Sequence, residues 1–150
     1  EASKHWELAL QMLEEAEEKK LTDVITYSAA ISACEKAHQW QWALHLLQHL
    51  RAQDLRGNVV AVSSAMLACH WGQQWQMAIH LLQTLQEEQL QGNILTYNAA
   101  IAACHGGGQW RRALWLLAEA QSYQLEGNSI TYNAALSVCS CQEQWAHALQ

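Results

Sequence analysis

The amino-acid sequence predicts an all-α protein, a right-handed α-solenoid of stacked helix-turn-helix repeats. A unit of 35 residues, 24–58, is repeated without a gap as 59–93 and 94–128, and begins again at 129–150. Tryptophan and cysteine recur at the same spacing, as Trp40, Trp75, Trp110 and Trp145 and as Cys34, Cys69, Cys104 and Cys139. A fixed period of this length is typical of a solenoid, because so small a unit buries its apolar face only against its neighbours.

The first element in chain order is part of a repeat. Residues 2–23 match the second half of the unit, since Ala9, Leu10 and Leu13 align with apolar residues of 40–52. Its acidic residues precede Lys19 and Lys20, which is typical of a solvated helix surface. We therefore expect one helix here, with its apolar stripe turned toward the first full repeat.

Each full repeat contains two amphipathic segments. In the first repeat, apolar residues recur at i, i+4 and i+7 and then at i, i+3, i+4, i+7 and i+10, which predicts two helices with one apolar stripe each; the residues are Tyr27, Ile31 and Cys34, then Trp40, Ala43, Leu44, Leu47 and Leu50. A short break separates the two segments, and it is richest in glycine at 106–108. We expect Gly57, Gly92 and Gly127 to end the second helices, since glycine accepts the left-handed conformation.

The domain organisation that follows is a single repeat array over residues 1–150. It consists of a partial repeat (2–23), three full repeats (24–58, 59–93 and 94–128) and a second partial repeat (129–150). Because the chain starts and stops partway through a unit, we expect it to be a fragment of a longer protein. It shows no targeting segment and no apolar run of the roughly 18 residues that a membrane span needs, so no membrane association is expected.

Cysteine and histidine are frequent enough to raise the question of a metal site. The chain has five cysteines and eight histidines, but stacked helices would hold the periodic cysteines about 10 Å apart. That separation is too large for one zinc ion or a disulfide. We expect small buried apolar residues instead, and we find no constellation for catalysis. The sequence predicts no enzyme activity, no metal and no cofactor.

The repeats resemble those of a known family. Thr26-Tyr27-Ser28-Ala-Ala-Ile is matched by Thr96-Tyr97-Asn98-Ala-Ala-Ile and by Thr131-Tyr132-Asn133-Ala-Ala-Leu. Ala-Leu-x-Leu-Leu or a close variant follows in the full repeats. This motif resembles the 35-residue, P-type pentatricopeptide repeat, and the resemblance covers essentially the whole chain. The many tryptophans and glutamines look similar to the repeats of dinoflagellate algae. The sequence departs from the family pattern at Val62, where tyrosine is expected, and at the tryptophans that begin the second helices.

The resemblance implies sequence-selective binding of single-stranded RNA, one base per repeat. The fifth and last residues of each repeat would read the base edge, and the second residue would pack on the base face. The reading residues would be Ser28, Asn58, Ser63, Asn93, Asn98, Asn128 and Asn133, and the packing residues Ile25, Val60, Leu95 and Ile130. By the family's pairing rule the target would be 5′-A-A-Y-Y-3′. The family also implies a mitochondrial or chloroplast location and a role in RNA processing, stability, editing or translation.

An alternative remains open from the residues themselves. Serine and asparagine are common as helix caps and turn residues, so turn chemistry alone would explain them. The net charge is −6, whereas nucleic-acid-binding proteins usually display a basic stripe. A scaffold that binds a protein or peptide partner is therefore the competing function.

Overall fold

The structure is a computed structural model and describes residues 2–53, 59–88, 92–123, 125 and 129–141. Over these residues the chain forms eight helices and no strand. The helices are α1 (Ala2–Glu18), α2 (Val24–Lys36), α3 (Trp40–Ala52), α4 (Val59–Trp71), α5 (Trp75–Glu87), α6 (Ile94–Gly106), α7 (Trp110–Ser122) and α8 (Ser129–Cys141). None of the described helices is both long and apolar enough to cross a membrane.

The helices are stacked as hairpins in two layers. α2 packs on α3, α4 on α5 and α6 on α7, and each first helix also packs on the first helix of the next hairpin, in the order α2, α4, α6, α8. The second helices join the stack by contacting the first helix that follows them, as α3 does with α4 and α5 with α6. The predicted all-α solenoid of helical repeats is confirmed.

The core runs along the stack between the two layers. The predicted stripe of the first hairpin is buried, with Tyr27, Ile31 and Leu47 at most 1% exposed. The first helices are buried more widely than a single stripe predicts, because each is covered by its hairpin partner and by the neighbouring first helices. The first helices therefore have a second buried face in addition to the predicted stripe. One position of each repeat is a buried alanine: Ala30, Ala65, Ala100 and Ala135. The small side chain allows the first helices to lie close together.

The turn inside each described hairpin has one residue in the left-handed conformation, always at the same position. These residues are His38 (φ 58°), Gln73 (φ 55°) and Gly108 (φ 61°). The second helices end differently, since their C-caps, Gln53, Glu88 and Tyr123, have φ of −85°, −74° and −83°.

The expectation that glycine ends the second helices is wrong for Gly92. Helix α5 already ends at Glu87 with the cap Glu88, whose ordinary φ needs no glycine. Gly57 and Gly127 lie outside the described residues.

Tryptophan side chains connect successive repeats. A Cβ added to Gly72 would lie 2.3 Å from Cδ1 of Trp40, and one added to Gly107 would lie 2.1 Å from Cδ1 of Trp75. The ring that begins each of these second helices therefore rests directly against the hairpin turn of the next repeat. Trp40 and Trp75 therefore lie at junctions between repeats, whereas Trp145 lies outside the described residues.

A tyrosine hydroxyl joins three helices at the first junction. The hydroxyl of Tyr27 in α2 hydrogen-bonds Glu17 of α1 and lies 2.9 Å from Nδ1 of His49 in α3. Burial, together with the hydrogen bond and negative charge of Glu17, raises the pKa of Tyr27 above its ordinary value. Val62 holds the equivalent position of the second repeat and has no hydroxyl, so this link is specific to particular repeats.

The periodic cysteines are core residues. Cys34, Cys69 and Cys104 are fully buried free thiols, and burial raises the pKa of each thiol to about 11. Their predicted role as small apolar residues is confirmed, while the side chain of Cys139 lies outside the described part of the chain. Within that part, no group of three or more His, Cys, Asp or Glu side chains is arranged to hold a metal ion.

Candidate functional site

Four aliphatic side chains form a solvent-exposed row along the first helices. They occupy the second position of successive repeats and are exposed by 74%, 60%, 59% and 61% at Ile25, Val60, Leu95 and Ile130, respectively. These are the residues predicted to pack on bases, and we call them the aliphatic row. Recurring exposure of large apolar side chains at one position of a stacked fold is typical of a contact surface.

A polar residue lies three positions after each member of the aliphatic row. Residues i and i+3 are neighbours on a helix surface, so the two sets follow the same face of the stack. Ser28, Ser63 and Asn98 are 9%, 7% and 7% exposed, whereas Asn133 is exposed. We call these four the polar row. Each repeat thus presents an apolar side chain beside a recessed or exposed polar one.

The two serines of the polar row use their hydroxyl protons inside their own helices. Oγ of Ser28 donates to the carbonyl of Val24 at 2.6 Å, and Oγ of Ser63 donates to the carbonyl of Val59 at 2.7 Å. A hydroxyl has one proton and two lone pairs. What either serine can offer a ligand is therefore acceptance of a hydrogen bond.

Asn98 differs from the serines in its hydrogen bonding. Its Nδ2 and Oδ1 atoms are buried and have no hydrogen-bond partner among the described residues. Leaving a buried amide unpaired costs about 1–3 kcal/mol. The position beside Leu95 thus holds a donor and an acceptor that a ligand's own polar edge would satisfy.

Asn93 is the last residue of the second repeat and the N-cap of α6. Its Oδ1 accepts hydrogen bonds from the backbone N–H and from Oγ1 of Thr96, each at 3.0 Å. Oγ1 of Thr96 lies 3.2 Å from Oγ of Ser63. The structure therefore brings the predicted reading pair Ser63 and Asn93 together, with Thr96 between them.

The residue at the equivalent position before the first repeat behaves in the same way. Oδ1 of Asp23 accepts from the N–H and the hydroxyl of Thr26, each at 2.8 Å. These two hydrogen bonds lower the pKa of Asp23 below its ordinary value. Aspartate and asparagine thus adopt the same capping geometry at the end of a repeat.

Two predicted reading residues, Asn58 and Asn128, lie outside the described residues. The pairs that they would form with Ser28 and Asn98 stay predictions, as do the base contacts of the whole site. Sequence reasoning missed Thr96. The available signal was an Asp or Asn three residues before a threonine at a helix start, a capping pattern that recurs at 23–26, 93–96 and 128–131.

Positive charge is sparse on the helices that carry the two rows, where Lys36 of α2 is the only Lys or Arg among the described residues. Helices α4, α6 and α8 contain no Asp, Glu, Lys or Arg. Arg51 belongs to α3 and lies 3.6 Å from Glu88, while Arg111 and Arg112 belong to α7, where their guanidinium carbons lie 5.1 and 4.9 Å from the ring centres of Trp110 and Trp75. The described face is thus suited to contacts with neutral groups more than with phosphates.

Comparison with protein families gives matches over most of the chain. The family model described as pentatricopeptide repeat domain matches residues 45–107 and 80–142, and the model described as PPR repeat matches residues 25–55. No curated protein sequence matches the chain.

Solved structures with the same fold include proteins crystallised with RNA. The pentatricopeptide repeat protein PPR10 in complex with an 18-nucleotide psaJ RNA element has a TM-score of 0.76 at 23% identity, over 85% of this chain and 19% of PPR10. PPR10 from maize has a TM-score of 0.69 at 20% identity, over 97% of this chain and 26% of that one. The PPR domain of Arabidopsis thaliana protein-only RNase P 1 in complex with tRNA has a TM-score of 0.78 at 14% identity, over 99% and 81% of the two chains. This chain therefore shares the fold and spans about a fifth of PPR10.

Proposed function

The chain belongs to the pentatricopeptide repeat family, and on that premise we propose that it binds single-stranded RNA with one base per repeat. The observation that carries the proposal is the pairing of an exposed aliphatic side chain with a polar one in each of four successive repeats. An unstacked base has an apolar face and a polar edge, and single-stranded RNA is read through both. The aliphatic row suits the faces and the polar row suits the edges.

The relatives support the choice of ligand. PPR10 was crystallised with an RNA element and the PPR domain of protein-only RNase P 1 with tRNA. We extend RNA binding from those proteins to this chain because the same fold carries both rows. The proposed target remains 5′-A-A-Y-Y-3′, and the proposed setting is RNA processing, stability, editing or translation in a mitochondrion or chloroplast, as the family resemblance implies. We further propose that this segment binds RNA without carrying out chemistry on it.

The pair Ser63 and Asn93 has hydrogen-bonding capacity that suits adenine. Ser63 has its proton engaged and offers an acceptor, while Asn93 has its Oδ1 engaged and offers the donors on Nδ2. Adenine has a donor at N6 and an acceptor at N1. Guanine presents donors at both N1 and N2 on its Watson–Crick edge and would leave one of the two protein groups without a complement.

The charge distribution predicts weak binding by this chain alone. The chain has eight Lys and Arg against fourteen Asp and Glu, and counterion release from phosphates supplies much of the affinity of nucleic-acid-binding proteins. We expect the affinity to fall less steeply with salt than for a basic RNA-binding domain. Measurements are therefore best made at low ionic strength with a short labelled oligonucleotide.

The first test compares two alanine variants in fluorescence anisotropy with 5′-AACC-3′ RNA and the same DNA sequence. Asn98→Ala removes the unpaired buried amide and should weaken RNA binding about tenfold, equivalent to about 1.4 kcal/mol. Gln83→Ala, an exposed change on α5, is the matched control and should bind like the wild type. Equal losses in both variants, or equal binding of RNA and DNA, would favour the protein-binding or peptide-binding scaffold.

The second test changes the base preference at one repeat. Asn93→Asp keeps the capping oxygen, as Asp23 demonstrates, and replaces the outward donor with an acceptor. The preference at that base should shift from adenine to guanine, whose N1 and N2 donors a carboxylate accepts. An unchanged preference would mean that Asn93 serves only as a helix cap.

A further inference from the structure

Thr96 is a fully buried residue between the two members of the Ser63–Asn93 site. Its exposure is 0%, and its hydroxyl contacts Asn93 at 3.0 Å and Ser63 at 3.2 Å. It belongs to the repeat that follows the site, whereas Ser63 and Asn93 belong to the repeat before. The two residues that would read one base are therefore connected by the hydroxyl of a residue from the next repeat.

Proton counting fixes the direction of the two hydrogen bonds that Thr96 makes to Asn93. The backbone N–H of Thr96 is a donor only, so the amide atom of Asn93 that it contacts at 3.0 Å must be the oxygen. That oxygen is an acceptor only, so the single hydroxyl proton of Thr96 points to Asn93. The longer contact of 3.2 Å between the hydroxyls of Thr96 and Ser63 has no fixed donor, because the proton of Ser63 is donated to the carbonyl of Val59 at 2.7 Å.

We propose that Thr96 is a specificity-determining residue, which acts by holding the amide of Asn93 with its oxygen inward and its nitrogen outward. The backbone N–H of Thr96 sets this orientation, since it only donates, and the hydroxyl donates to the same oxygen. The two lone pairs of Oδ1 are then both occupied, and neither remains for a base. Asn93 then presents donors only, and Ser63 presents an acceptor only. This inference rests on the proposed function, since it concerns the base that this pair reads.

The chain has threonine at this position in three repeats and alanine in one. Thr26 holds Asp23 in the same way, with two distances of 2.8 Å, and threonine recurs at 131. The equivalent residue of the second repeat is Ala61, which has no side-chain hydroxyl to direct Asn58. The predicted pair of Ser28 with Asn58 should therefore be less selective than the pair of Ser63 with Asn93, although the residue types are the same.

The test measures base selectivity at one position in wild type, Thr96→Ala, Thr96→Ser and Ala61→Thr. Four RNA oligonucleotides that differ only in the base facing the second repeat are titrated by fluorescence anisotropy, and four others vary the base facing the third repeat. Thr96→Ala should lower the adenine-over-guanine ratio of the second repeat about fivefold and leave the third repeat unchanged. Thr96→Ser keeps the hydroxyl and should restore the ratio, and Ala61→Thr should raise selectivity at the first repeat.

Stability and selectivity are separated by measuring both. Thermal unfolding by circular dichroism identifies any variant that loses structure, and a merely structural role of Thr96 would weaken all four oligonucleotides alike without changing their ratio. An unchanged ratio in folded Thr96→Ala overturns the inference and leaves the proposed function intact. Absence of any RNA binding by the wild type overturns both.

Discussion

Replacing Gly107 by alanine tests whether the tryptophan at the start of one repeat's second helix locks the next repeat in place. Gly107 has φ −92° and ψ 0°, a conformation that alanine adopts readily, and Ala37 occupies the equivalent position in the first hairpin. Where space is available, such a change stabilises a protein by about 0.4–1 kcal/mol through the unfolded state. The backbone therefore gives no reason to expect a loss of stability.

The contact with Trp75 predicts the opposite sign. The new Cβ would lie 2.1 Å from Cδ1, 2.5 Å from Nε1 and 2.7 Å from Cγ of that ring, far inside the roughly 3.5–4.0 Å of favourable carbon contacts. The ring cannot simply swing away, since Arg112 stacks on it at 4.9 Å. Overpacking of this kind costs about 1–3 kcal/mol. After the entropic gain is subtracted, we expect a net loss of about 0.5–2.5 kcal/mol.

The assay is urea unfolding followed by far-ultraviolet circular dichroism, with all variants compared under one condition. Gly106→Ala is the matched control, because its Cβ would lie 3.2 Å from Cγ and 3.4 Å from the backbone Cα of Gln73, which is far less close than the contact with Trp75. It should lose less stability than Gly107→Ala. The double variant Trp75→Leu with Gly107→Ala should lose less than the sum of the two single changes, since the clash is removed. A Gly107→Ala protein as stable as the wild type would refute the proposed junction contact.

Three further predictions concern the core, the cysteines and the first helix cap. Leu47→Ala deletes a side chain that is 1% exposed and should cost about 2–5 kcal/mol in urea unfolding; a loss below about 0.5 kcal/mol would place Leu47 outside the core. With Cys139 and Cys141 replaced by serine, the three buried thiols should resist a thiol reagent at pH 8 and react only in urea. Their raised pKa of about 11 also means that stability should fall as the pH rises above about 9, the ordinary thiol value, because only the unfolded thiols ionise there. Asp23 has a lowered pKa, so its contribution is present above pH 3.8 and lost as the pH falls below that value. Asp23→Asn keeps the capping oxygen and should therefore reduce the loss of stability in acid; an equal acid loss in both proteins would contradict this role.

Periodicity was enough to predict the helices and to identify which residues recur at equivalent positions of the repeats. The repeat of 35 residues identifies equivalent residues without a structure, and the apolar spacing separates the inward residues from the aliphatic row. Ile25, for example, was predicted on the binding face and is 74% exposed. Local pattern succeeds here because a solenoid buries residues mainly against near neighbours in sequence.

Turn geometry was predicted less well. Gly92 was expected to end α5, yet the helix ends at Glu87 with an ordinary φ at its cap. Three of the four described left-handed residues lie inside the hairpins instead, and two of these three are His38 and Gln73 rather than glycine; the fourth, Lys20, follows α1. Gly72 and Gly107 leave room for a tryptophan ring of the preceding repeat, which a Cβ at either position would overlap. Local turn preferences do not reveal this requirement for space.

The sequence by itself determined the repeat length, the family, the helical stack and the residue types of the aliphatic row and the polar row, because each of these depends on side-chain type at a regular spacing. Only the tertiary structure decided which hydrogen-bond partners the polar side chains of the first helices have. Asn98 has no hydrogen-bond partner among the described residues, while Ser63 and Asn93 are joined through Thr96. Identical residue types can be satisfied or unsatisfied according to which helix packs beside them, and hydrogen bonds between residues 33 apart, such as Ser63 and Thr96, form only after the repeats stack.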